Sequence, residues 1–363
     1  MGSCTSSPHD LSRPHKRRPV SFRPTARKIQ NAAVVDETND STHDVNSATL
    51  DEKYIVSDRV LGEGADGRIY EGSHVVTGEK VALKVITFSE SSRSSPCEER
   101  RRKFRKELQI LGMTKHRGVV RCLDFNEDEH RGVLVLEFAE GGDLFDRLKA
   151  LHRLSERHAR EALVHIAEAV WYLHSLDIVH RDLKPENILL KSKTSLKEIL
   201  IADFGYAAIM NEDELMKDLL GSLHYVAPEI LLKRPYGKSV DIWALGVILF
   251  IMLTGSFPFR RDDNTQLFRS IVRCEFSLGK DHEVWTQMSD EAKDLLHNLL
   301  VVDPSRRYNI SQVMLHPWIT CYKESDCDEE ECSNIYSSEA SDTTTDYASV
   351  PRLPEAARAA LLL

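Results

Sequence analysis

The strongest constraint on this chain is the run His180-Arg-Asp-Leu-Lys-Pro-Glu-Asn187, which is dense in charged and amide side chains. Pro185 prevents a continuous helix through the run and favours a rigid loop. In such a loop Asp182 can accept the proton of an incoming hydroxyl, Lys184 can neutralise a transferring phosphoryl group, and Asn187 can hold a magnesium ion. The alternative is a charged loop that only caps two helices.

A second acidic motif, Asp203-Phe-Gly205, follows the strand-like run Ile199-Leu-Ile-Ala. A carboxylate at a strand end can supply an oxygen ligand to magnesium that bridges phosphates, and Phe204 can pack inward to position the loop. The tripeptide alone is common, but this one lies 21 residues after Asp182 and 26 before Glu229 of an Ala-Pro-Glu run. The spacing therefore favours a catalytic role for both loops.

Three glycines in Gly62-Glu-Gly64-Ala-Asp-Gly67 lie between the strand-like runs Val60-Leu61 and Arg68-Ile-Tyr. Glycines let a hairpin backbone lie directly on phosphate oxygens, because they offer N–H groups without side-chain bulk. A flexible glycine turn is the simplest alternative. A dinucleotide-binding loop is disfavoured, because it requires a helix directly after the glycines and the following run is strand-like.

Lys84 lies in the short apolar strand Val81-Ala-Leu-Lys-Val, where a buried cation is costly unless anions surround it. Phosphate oxygens are one candidate anion. Glu107, on a basic helix predicted from Arg100 to Met113, is the other. A surface lysine at a strand edge is the alternative.

Strand-like runs precede helical patterns in the central part of the chain. Apolar residues recur at three- and four-residue intervals from Arg160 to His174 and from Asp290 to Leu300, as in amphipathic helices. We therefore predict an α+β fold in which a small β-rich lobe precedes a larger helical lobe. The predicted parts are a disordered basic arm (1–53), one domain (54–319) with a β-rich lobe (54–138) and a helical lobe (143–319), and an acidic, disordered tail (320–363).

Composition argues against several other classes of protein. The seven cysteines show no metal-ligand spacing, so neither a disulfide framework nor a zinc site is indicated, and a reducing compartment is expected. A net charge of -9 argues against nucleic acid as the main partner. The longest apolar run, around Ile242 to Leu253, is shorter than the ~18 to 20 residues of a membrane-spanning helix. The sequence carries no indication of an oligomeric state.

In order and spacing, these motifs resemble the signature set of the eukaryotic protein kinases, over about 266 residues. The resemblance implies a bilobal kinase fold that uses ATP and Mg²⁺ and acts on protein substrates. It assigns catalysis to Asp182 and Lys184, and the metal to Asn187 and Asp203. The residues that it places around ATP are Leu61, Gly62, Gly64, Gly67, Ile69, Ala82, Lys84, Glu107, Glu137 and Asp143.

The same resemblance implies two further pairings, in which Asp241 braces the catalytic loop and Glu229 pairs with Arg307. Ordinary surface charges are the alternative reading of these residues. Ser222 stands where the family distinguishes Ser and Thr acceptors from Tyr, and Lys184 agrees with that position. Serine/threonine kinase activity is therefore expected, and tyrosine kinase activity is disfavoured.

Within the family, the chain is most similar to the calcium/calmodulin-regulated group, and in particular to the calcium-dependent protein kinases. The runs that carry this similarity are Glu140-Gly-Gly-Asp-Leu-Phe-Asp146, Gly221-Ser-Leu-His-Tyr-Val-Ala-Pro-Glu229, Asp241-Ile-Trp-Ala-Leu-Gly-Val-Ile-Leu and His316-Pro-Trp-Ile319. No Asp-x-Asp-x-Asp-Gly calcium loop (EF-hand) follows residue 319, so direct calcium control is not expected. The acidic tail is unlike a basic amphipathic helix, which weakens the case for calmodulin binding.

Charge in two loops predicts substrate preference and regulation. Asp143 and Glu186 fall where related kinases present carboxylates to basic residues upstream of the acceptor, so Arg-x-x-Ser substrates are expected, and Asp143 is also placed to bond the ATP ribose. No Ser or Thr occurs between Gly205 and Gly221, where Glu212, Asp213, Glu214 and Asp218 are acidic. Carboxylates can replace phosphate as the anion beside Arg181, so phosphorylation of this loop is not expected to be required.

The amino-terminal run Met1-Gly-Ser-Cys-Thr-Ser6 fits myristoylation of Gly2 and palmitoylation of Cys4. Residues 1–30 carry seven Lys or Arg against one acid, which favours contact with anionic lipid. We therefore expect a cytoplasmic protein anchored to the cytoplasmic face of a membrane. A free cytosolic protein with an uncut tail is the main alternative, and an organelle transit peptide is the other.

Two other functions share these sequence features. A catalytically dead kinase fold could serve as a membrane-tethered scaffold, but Lys84, Asp182 and Asp203 are all intact. A small-molecule phosphotransferase of the same fold would lack the Ala-Pro-Glu run and the Ser222 segment that seats a peptide.

Overall fold

The computed structural model describes residues 50–64, 67–88, 95–210, 215–216, 222–260, 263–275 and 282–321. Within these residues a sheet-based lobe precedes a helical lobe. The predicted α+β bilobal architecture is therefore confirmed.

Five antiparallel strands form the sheet of the first lobe. In chain order they are β1 (Tyr54–Gly64), β2 (Gly67–His74), β3 (Lys80–Thr87), β4 (Cys122–Glu127) and β5 (Arg131–Glu137). Their order across the sheet is β1-β2-β3-β5-β4. The β1–β2 hairpin carries the predicted glycine loop, with Gly64 opposite Gly67. Only glycine fits at position 67, because a Cβ there would lie 2.0 Å from the carbonyl oxygen of Val85.

Two helices accompany this sheet: α1 (Leu50–Lys53) and α2 (Ser95–Met113). The side chains of β3 alternate between the two faces of the sheet. Val81 lies on one face, in a small apolar cluster with β5, whereas Ile86 lies on the other, in the core that it shares with Phe104 of α2. The same alternation puts Lys84 on the α2 face. Packing in the first lobe thus decides which helix the lysine meets.

The second lobe is helical, with short strands that carry its loops. Its helices are α3 (Leu144–Leu151), α4 (Glu156–Ser175), α5 (Pro228–Leu231), α6 (Ser239–Thr254), α7 (Asn264–Arg273), α8 (His282–Gln287), α9 (Asp290–Leu299), α10 (Ile310–Leu315) and α11 (Pro317–Thr320). Its strands pair as β6 (Ile178–Val179) with β9 (Ala208–Ile209) and β7 (Ile188–Leu190) with β8 (Ile199–Ile201). A 3-10 turn, Pro185–Asn187, leads into β7.

Helix starts in this lobe follow side-chain caps. Ser155 accepts a hydrogen bond from the amide of His158 at the start of α4, and Ser289 does the same for Ala292 at the start of α9. Both helices predicted in the second lobe are therefore present. The helix predicted to start at Arg100 begins earlier, at Ser95.

Helix α6 runs through the centre of the second lobe, where residues 240–254 are all buried. The apolar run around Ile242 to Leu253 is therefore a core helix. Gly246 allows α9 to approach closely, because a Cβ there would lie 2.9 Å from Leu299 Cβ. In the part of the chain that the structure describes, we find no helix with both the length and the apolar character needed to cross a membrane.

Candidate active site

Lys84 is buried and bonded to two carboxylates. Its ammonium lies 2.7 Å from Glu107 Oε1 on α2 and 2.8 Å from Asp203 Oδ1 in the loop after β8. Only 7% of Lys84 and 3% of Glu107 are exposed, which excludes a surface lysine. Burial by itself lowers the pKa of Lys84, but the two carboxylates outweigh it and hold that pKa above its ordinary value. The lysine is therefore a fixed cation.

Contacts around Phe204 hold Asp203 in its position. The backbone of Asp203 is left-handed, with φ of 61°, a conformation that needs support from its surroundings. Phe204 is fully buried and packs edge-on against His180, with ring centroids 5.1 Å apart. Burial alone raises the pKa of Asp203, but Lys84 outweighs it and lowers that pKa. Asp203 is thus ionised and turned toward Lys84.

The carboxylate of Asp182 accepts hydrogen bonds on both of its oxygens. Lys184 Nζ donates to Oδ2 over 2.7 Å, and Asn187 Nδ2 donates to the same oxygen over 3.2 Å. The amide and the hydroxyl of Ser222 donate to Oδ1 over 3.1 and 3.2 Å. Lys184 also donates to the Ser222 hydroxyl over 3.0 Å. A hydroxyl therefore lies between a carboxylate and an ammonium.

Asp241, at the start of α6, fastens the main chain of the catalytic loop (residues 180–187). Its Oδ2 accepts from the amide of His180 and its Oδ1 from the amide of Arg181, both over 2.9 Å. His174 Nε2 lies 2.8 Å from Oδ2. Burial alone raises the pKa of Asp241, but the hydrogen bond from His174 and nearby positive charge outweigh it and lower that pKa. The structure thus gives Asp241 the bracing contacts that the resemblance implied.

A buried ion pair fixes the end of the segment that carries Ser222. Arg307 Nη1 and Nη2 donate to the two oxygens of Glu229 over 2.7 and 2.9 Å. The Arg307 side chain is fully buried, and its guanidinium lies over the ring of Trp243, 5.1 Å from the centroid. Glu229 and Arg307 are therefore not ordinary surface charges.

All of these contacts lie within the span of one known family. A family model described as protein kinase domain matches residues 55–319. This chain belongs to the protein kinase family. The kinase motifs inferred from the sequence are thus parts of one matched domain.

Three curated relatives indicate the group of kinases to which the chain is similar. It is 38% identical over 262 residues to serine/threonine-protein kinase H1 of Homo sapiens, and the aligned residues make up 72% of this chain and 60% of that protein. It is 38% identical over 259 residues to myosin light chain kinase A of Dictyostelium discoideum, with 71% of this chain and 85% of that protein aligned. It is 38% identical over 272 residues to calcium-dependent protein kinase 19 of Arabidopsis thaliana, with 74% of this chain and 48% of that protein aligned.

These relatives confirm the predicted similarity to the calcium/calmodulin-regulated group. The kinase spans about 60% of the length of the serine/threonine-protein kinase H1 proteins from several vertebrates.

Asp203 and Asn187 of this kinase are suited to a divalent cation. Asn187 Nδ2 donates to the carbonyl oxygen and to the carboxylate of Asp182, over 2.8 and 3.2 Å, so its Oδ1 is the atom suited to a metal. No group of three or more His, Cys, Asp or Glu side chains could hold a metal within the described ranges. With one oxygen-bearing side chain each, Asp203 and Asn187 leave the other positions around such an ion to phosphate oxygens and water.

The predicted nucleotide residues flank Lys84 in the sheet. Ile69 of β2 pairs with both Gly62 of β1 and Lys84 of β3, so the glycine hairpin lies directly beside the strand that carries the lysine. Ala82 pairs with Leu136 of β5. Glu137 follows directly, and its carboxylate accepts from the amide of Arg121 over 2.8 Å. The amide of Glu137 in turn donates to the carbonyl oxygen of Arg121 over 3.0 Å, so both its carboxylate and its amide are engaged by Arg121.

Two predicted substrate carboxylates also have defined surroundings. Asp143 caps α3, because its Oδ1 accepts from the amide of Asp146 over 2.8 Å. Burial raises its pKa above the ordinary value. Glu186, in the 3-10 turn of the catalytic loop, also has a pKa raised first by burial and further by Asp143 and Asp182, although Lys184 opposes this.

Several functional contacts were not anticipated from the sequence. His174 meets Asp241 from the end of α4, and Tyr206 and Tyr236 supply oxygens to Arg181. No short motif marks these residues, so the sequence alone offered no signal for them. The predicted acids at 212–214 and 218, and the acylation residues Gly2 and Cys4, lie outside the described residues.

Proposed function

We propose that this chain is an ATP-dependent serine/threonine protein kinase. The observation that carries the proposal is the cluster of Asp182, Lys184 and Ser222, where a serine hydroxyl lies 3.2 Å from a carboxylate oxygen and 3.0 Å from an ammonium. The acceptor hydroxyl of a protein substrate needs the same two neighbours: a base for its proton and a cation for the incoming phosphoryl group.

In this mechanism Asp182 accepts the proton of the acceptor hydroxyl while the hydroxyl oxygen bonds to the γ-phosphorus of ATP and the bond to the ADP oxygen breaks. Lys184 offsets negative charge on the transferring group. Lys84, held by Glu107, offsets charge on the other phosphates. Asp203 and Asn187 would hold Mg²⁺, which supplies positive charge to the phosphate oxygens when it is bound.

The substrate preference that we propose is for Arg-x-x-Ser or Arg-x-x-Thr sequences. Its support is the pair Asp143, which is partly buried, and Glu186, which is exposed: burial raises the pKa of each carboxyl group, and the charge of Asp143 raises that of Glu186 further. An ionised carboxylate that has lost part of its hydration and has a like-charged neighbour is strongly stabilised when a cation binds beside it. A guanidinium can bond each carboxylate in a bidentate manner, which favours Arg over Lys.

We further propose that the chain is tethered to the cytoplasmic face of a membrane through acylated Gly2 and Cys4. The support is the sequence motif and the basic arm that follows it. One acyl chain alone binds membranes weakly, so a second chain or the basic arm is needed for stable attachment.

The decisive experiment uses the purified full chain with ATP, Mg²⁺ and matched Ser, Thr and Tyr peptides. We expect transfer to the Ser and Thr peptides and not to the Tyr peptide. Asp182→Asn removes the base with little change of shape and should lower kcat by at least about a hundredfold. The variant should still bind ATP, as measured by the increase in its melting temperature when ATP is added.

A wild-type chain that binds ATP and labels no peptide would favour the scaffold alternative. Equal activity in Asp182→Asn and wild type would also contradict the proposal. The measured activity would then come from a contaminating kinase in the preparation and not from this chain.

A further inference from the structure

Arg181, which directly precedes the base Asp182, is a buried cation with only 8% of its surface exposed. Its backbone is left-handed, with φ of 69°. Burying a guanidinium is costly unless its donors are paired. Its Nε donates to the carbonyl oxygen of Tyr206 over 2.6 Å, and its Nη1 donates to the hydroxyl of Tyr236 over 3.2 Å. These two hydrogen bonds pair two of the donors of the guanidinium.

Tyr236 is itself 2% exposed and is joined to the activation segment, which we define as Asp203–Glu229. Its amide donates to the carbonyl oxygen of Met216 and its carbonyl accepts from the amide of Met216, both over 3.0 Å. The two residues thus form an isolated antiparallel bridge. One residue therefore contacts the catalytic loop through its side chain and the activation segment through its main chain.

The residues next to Tyr236 hold the same segment at a second point. Gly237 lies against Met210, because a Cβ on this glycine would be 3.2 Å from the Met210 methyl carbon. Lys238 pairs with Asp177 over 2.7 Å, and the carbonyl oxygen of Asp177 accepts from the amide of Met210 over 2.8 Å. The stretch from Tyr236 to Lys238 therefore contacts the activation segment at two separate places.

We propose that Tyr236 is a positioning residue for phosphoryl transfer. Its hydroxyl holds Arg181 beside Asp182, and its main chain holds the segment that carries Ser222, so the two parts of the site are set together. The sequence between Gly205 and Gly221 contains no Ser or Thr, so no phosphoserine or phosphothreonine there can align the two parts of the site. The inference rests on the proposed kinase function, and it identifies what aligns that site without phosphorylation of the segment.

The test compares two substitutions that each remove one tyrosine hydroxyl. Tyr236→Phe removes the oxygen that Arg181 contacts. Tyr172→Phe is the matched control, because its hydroxyl accepts from the amide of Lys115 over 2.7 Å, away from this site. In phosphatase-treated full-length protein, we expect Tyr236→Phe to lower kcat about tenfold, with KM for ATP within about twofold of wild type. Tyr172→Phe should keep the wild-type kcat.

A double-mutant cycle separates positioning from general destabilisation. Adding Tyr236→Phe to Arg181→Ala should cause no further loss of kcat, because the hydroxyl acts through the guanidinium. A wild-type kcat in Tyr236→Phe, a loss that multiplies with that of Arg181→Ala, or loss of wild-type activity on phosphatase treatment would each overturn the inference. If the wild type phosphorylates no peptide even before phosphatase treatment, the proposed function itself fails, and the inference fails with it.

Discussion

The hydroxyl of Ser222 donates a hydrogen bond to Asp182 Oδ1 over 3.2 Å, and the amide of the same serine donates to the same oxygen over 3.1 Å. The two residues are 40 positions apart in the chain. Ser222 therefore contacts Asp182 through both its main chain and its side chain, and the two contacts can be separated because only the hydroxyl depends on the side chain.

Ser222→Ala should keep the amide contact and lose the hydroxyl contacts to Asp182 and Lys184. We expect kcat on Ser peptides to fall about tenfold, since one hydrogen bond to a charged group contributes ~1.5 kcal/mol or more. Ser222→Thr should retain more activity than Ser222→Ala. Ser175→Ala, which removes a hydroxyl bonded to the carbonyl oxygen of Tyr172, is the control and should match wild type. Equal kcat for all four proteins would contradict the role of Ser222.

Lys84→Ala should affect stability as well as activity, because it leaves the 3%-exposed Glu107 without its lysine. Removing one partner of a buried pair costs about 3 kcal/mol. We expect a decrease of this size in the free energy of unfolding measured with urea, together with loss of peptide phosphorylation. Lys80→Ala, on the same strand, removes a more exposed lysine from its ion pair with Glu71 and should cost less than about 1 kcal/mol. Equal losses in the two variants would show that burial does not set the cost.

The preference for Arg-containing peptides should depend on pH through Glu186 and Asp143. Their ordinary pKa values are 4.5 and 3.8, and burial raises both. Only the ionised carboxylates attract a guanidinium, so KM for an Arg peptide should rise as the pH falls toward these raised values, whereas KM for the matched Ala peptide should change little. Steady-state kinetics between about pH 5 and about pH 8 measure this.

Glu186→Gln is the control for this pH effect. This variant should have a smaller ratio of KM for the Ala peptide to KM for the Arg peptide at neutral pH. The same ratio should also change less with pH than it does in wild type. A ratio that stays constant with pH in wild type would remove these carboxylates from substrate recognition.

Glu156 should stabilise the second lobe, because it joins three helices. Its carboxylate accepts from the hydroxyl of Ser289 over 2.5 Å and from the indole N–H of Trp318 over 2.7 Å. Glu156→Ala leaves the buried indole N–H unpaired, so we expect a loss of ~2 kcal/mol in the free energy of unfolding. Glu283→Ala, at an exposed position on α8, should change it by less than about 0.5 kcal/mol.

The effect of Glu156 on stability should also depend on pH. Burial opposes ionisation, but the hydrogen bonds from Ser289 and Trp318 outweigh it and lower the pKa below 4.5. A depressed carboxylate pKa adds stability above the unfolded pKa, and this contribution is lost as the pH falls through the folded value. The stability difference between wild type and Glu156→Ala should therefore persist at neutral pH and shrink below about pH 4.5. A difference that does not change with pH would assign the effect to packing.

Gly2→Ala should release the chain from membranes if acylation tethers it. We expect the variant in the soluble fraction of cells and the wild type in the membrane fraction, because myristoylation requires the amino group of glycine at that position. Ser3→Ala is the matched control and should stay with the membrane. Unchanged membrane recovery of Gly2→Ala would reject the anchor.

The local motifs of the chain were sufficient to predict much of the fold. Short strand-like runs identified β1, β2 and β3 of the first lobe, and the 3.6-residue period identified α4 and α9. Short loops with fixed side-chain chemistry, such as His180–Asn187, identified the protein kinase family. Such features depend on residues a few positions apart, so they can be read without knowledge of long-range contacts.

The contacts that make these motifs into a site depend on residues that are distant in the chain. Arg181 and Tyr236 are 55 positions apart, and His174 and Asp241 are 67 apart. Their meeting depends on where α6 lies against α4 and the catalytic loop, and packing of the whole second lobe decides that position. The sequence by itself determined the family and predicted the catalytic side chains. Only the tertiary structure decided which buried partners hold those side chains in place, because a buried charge is stable only where the complete fold brings its partners to it.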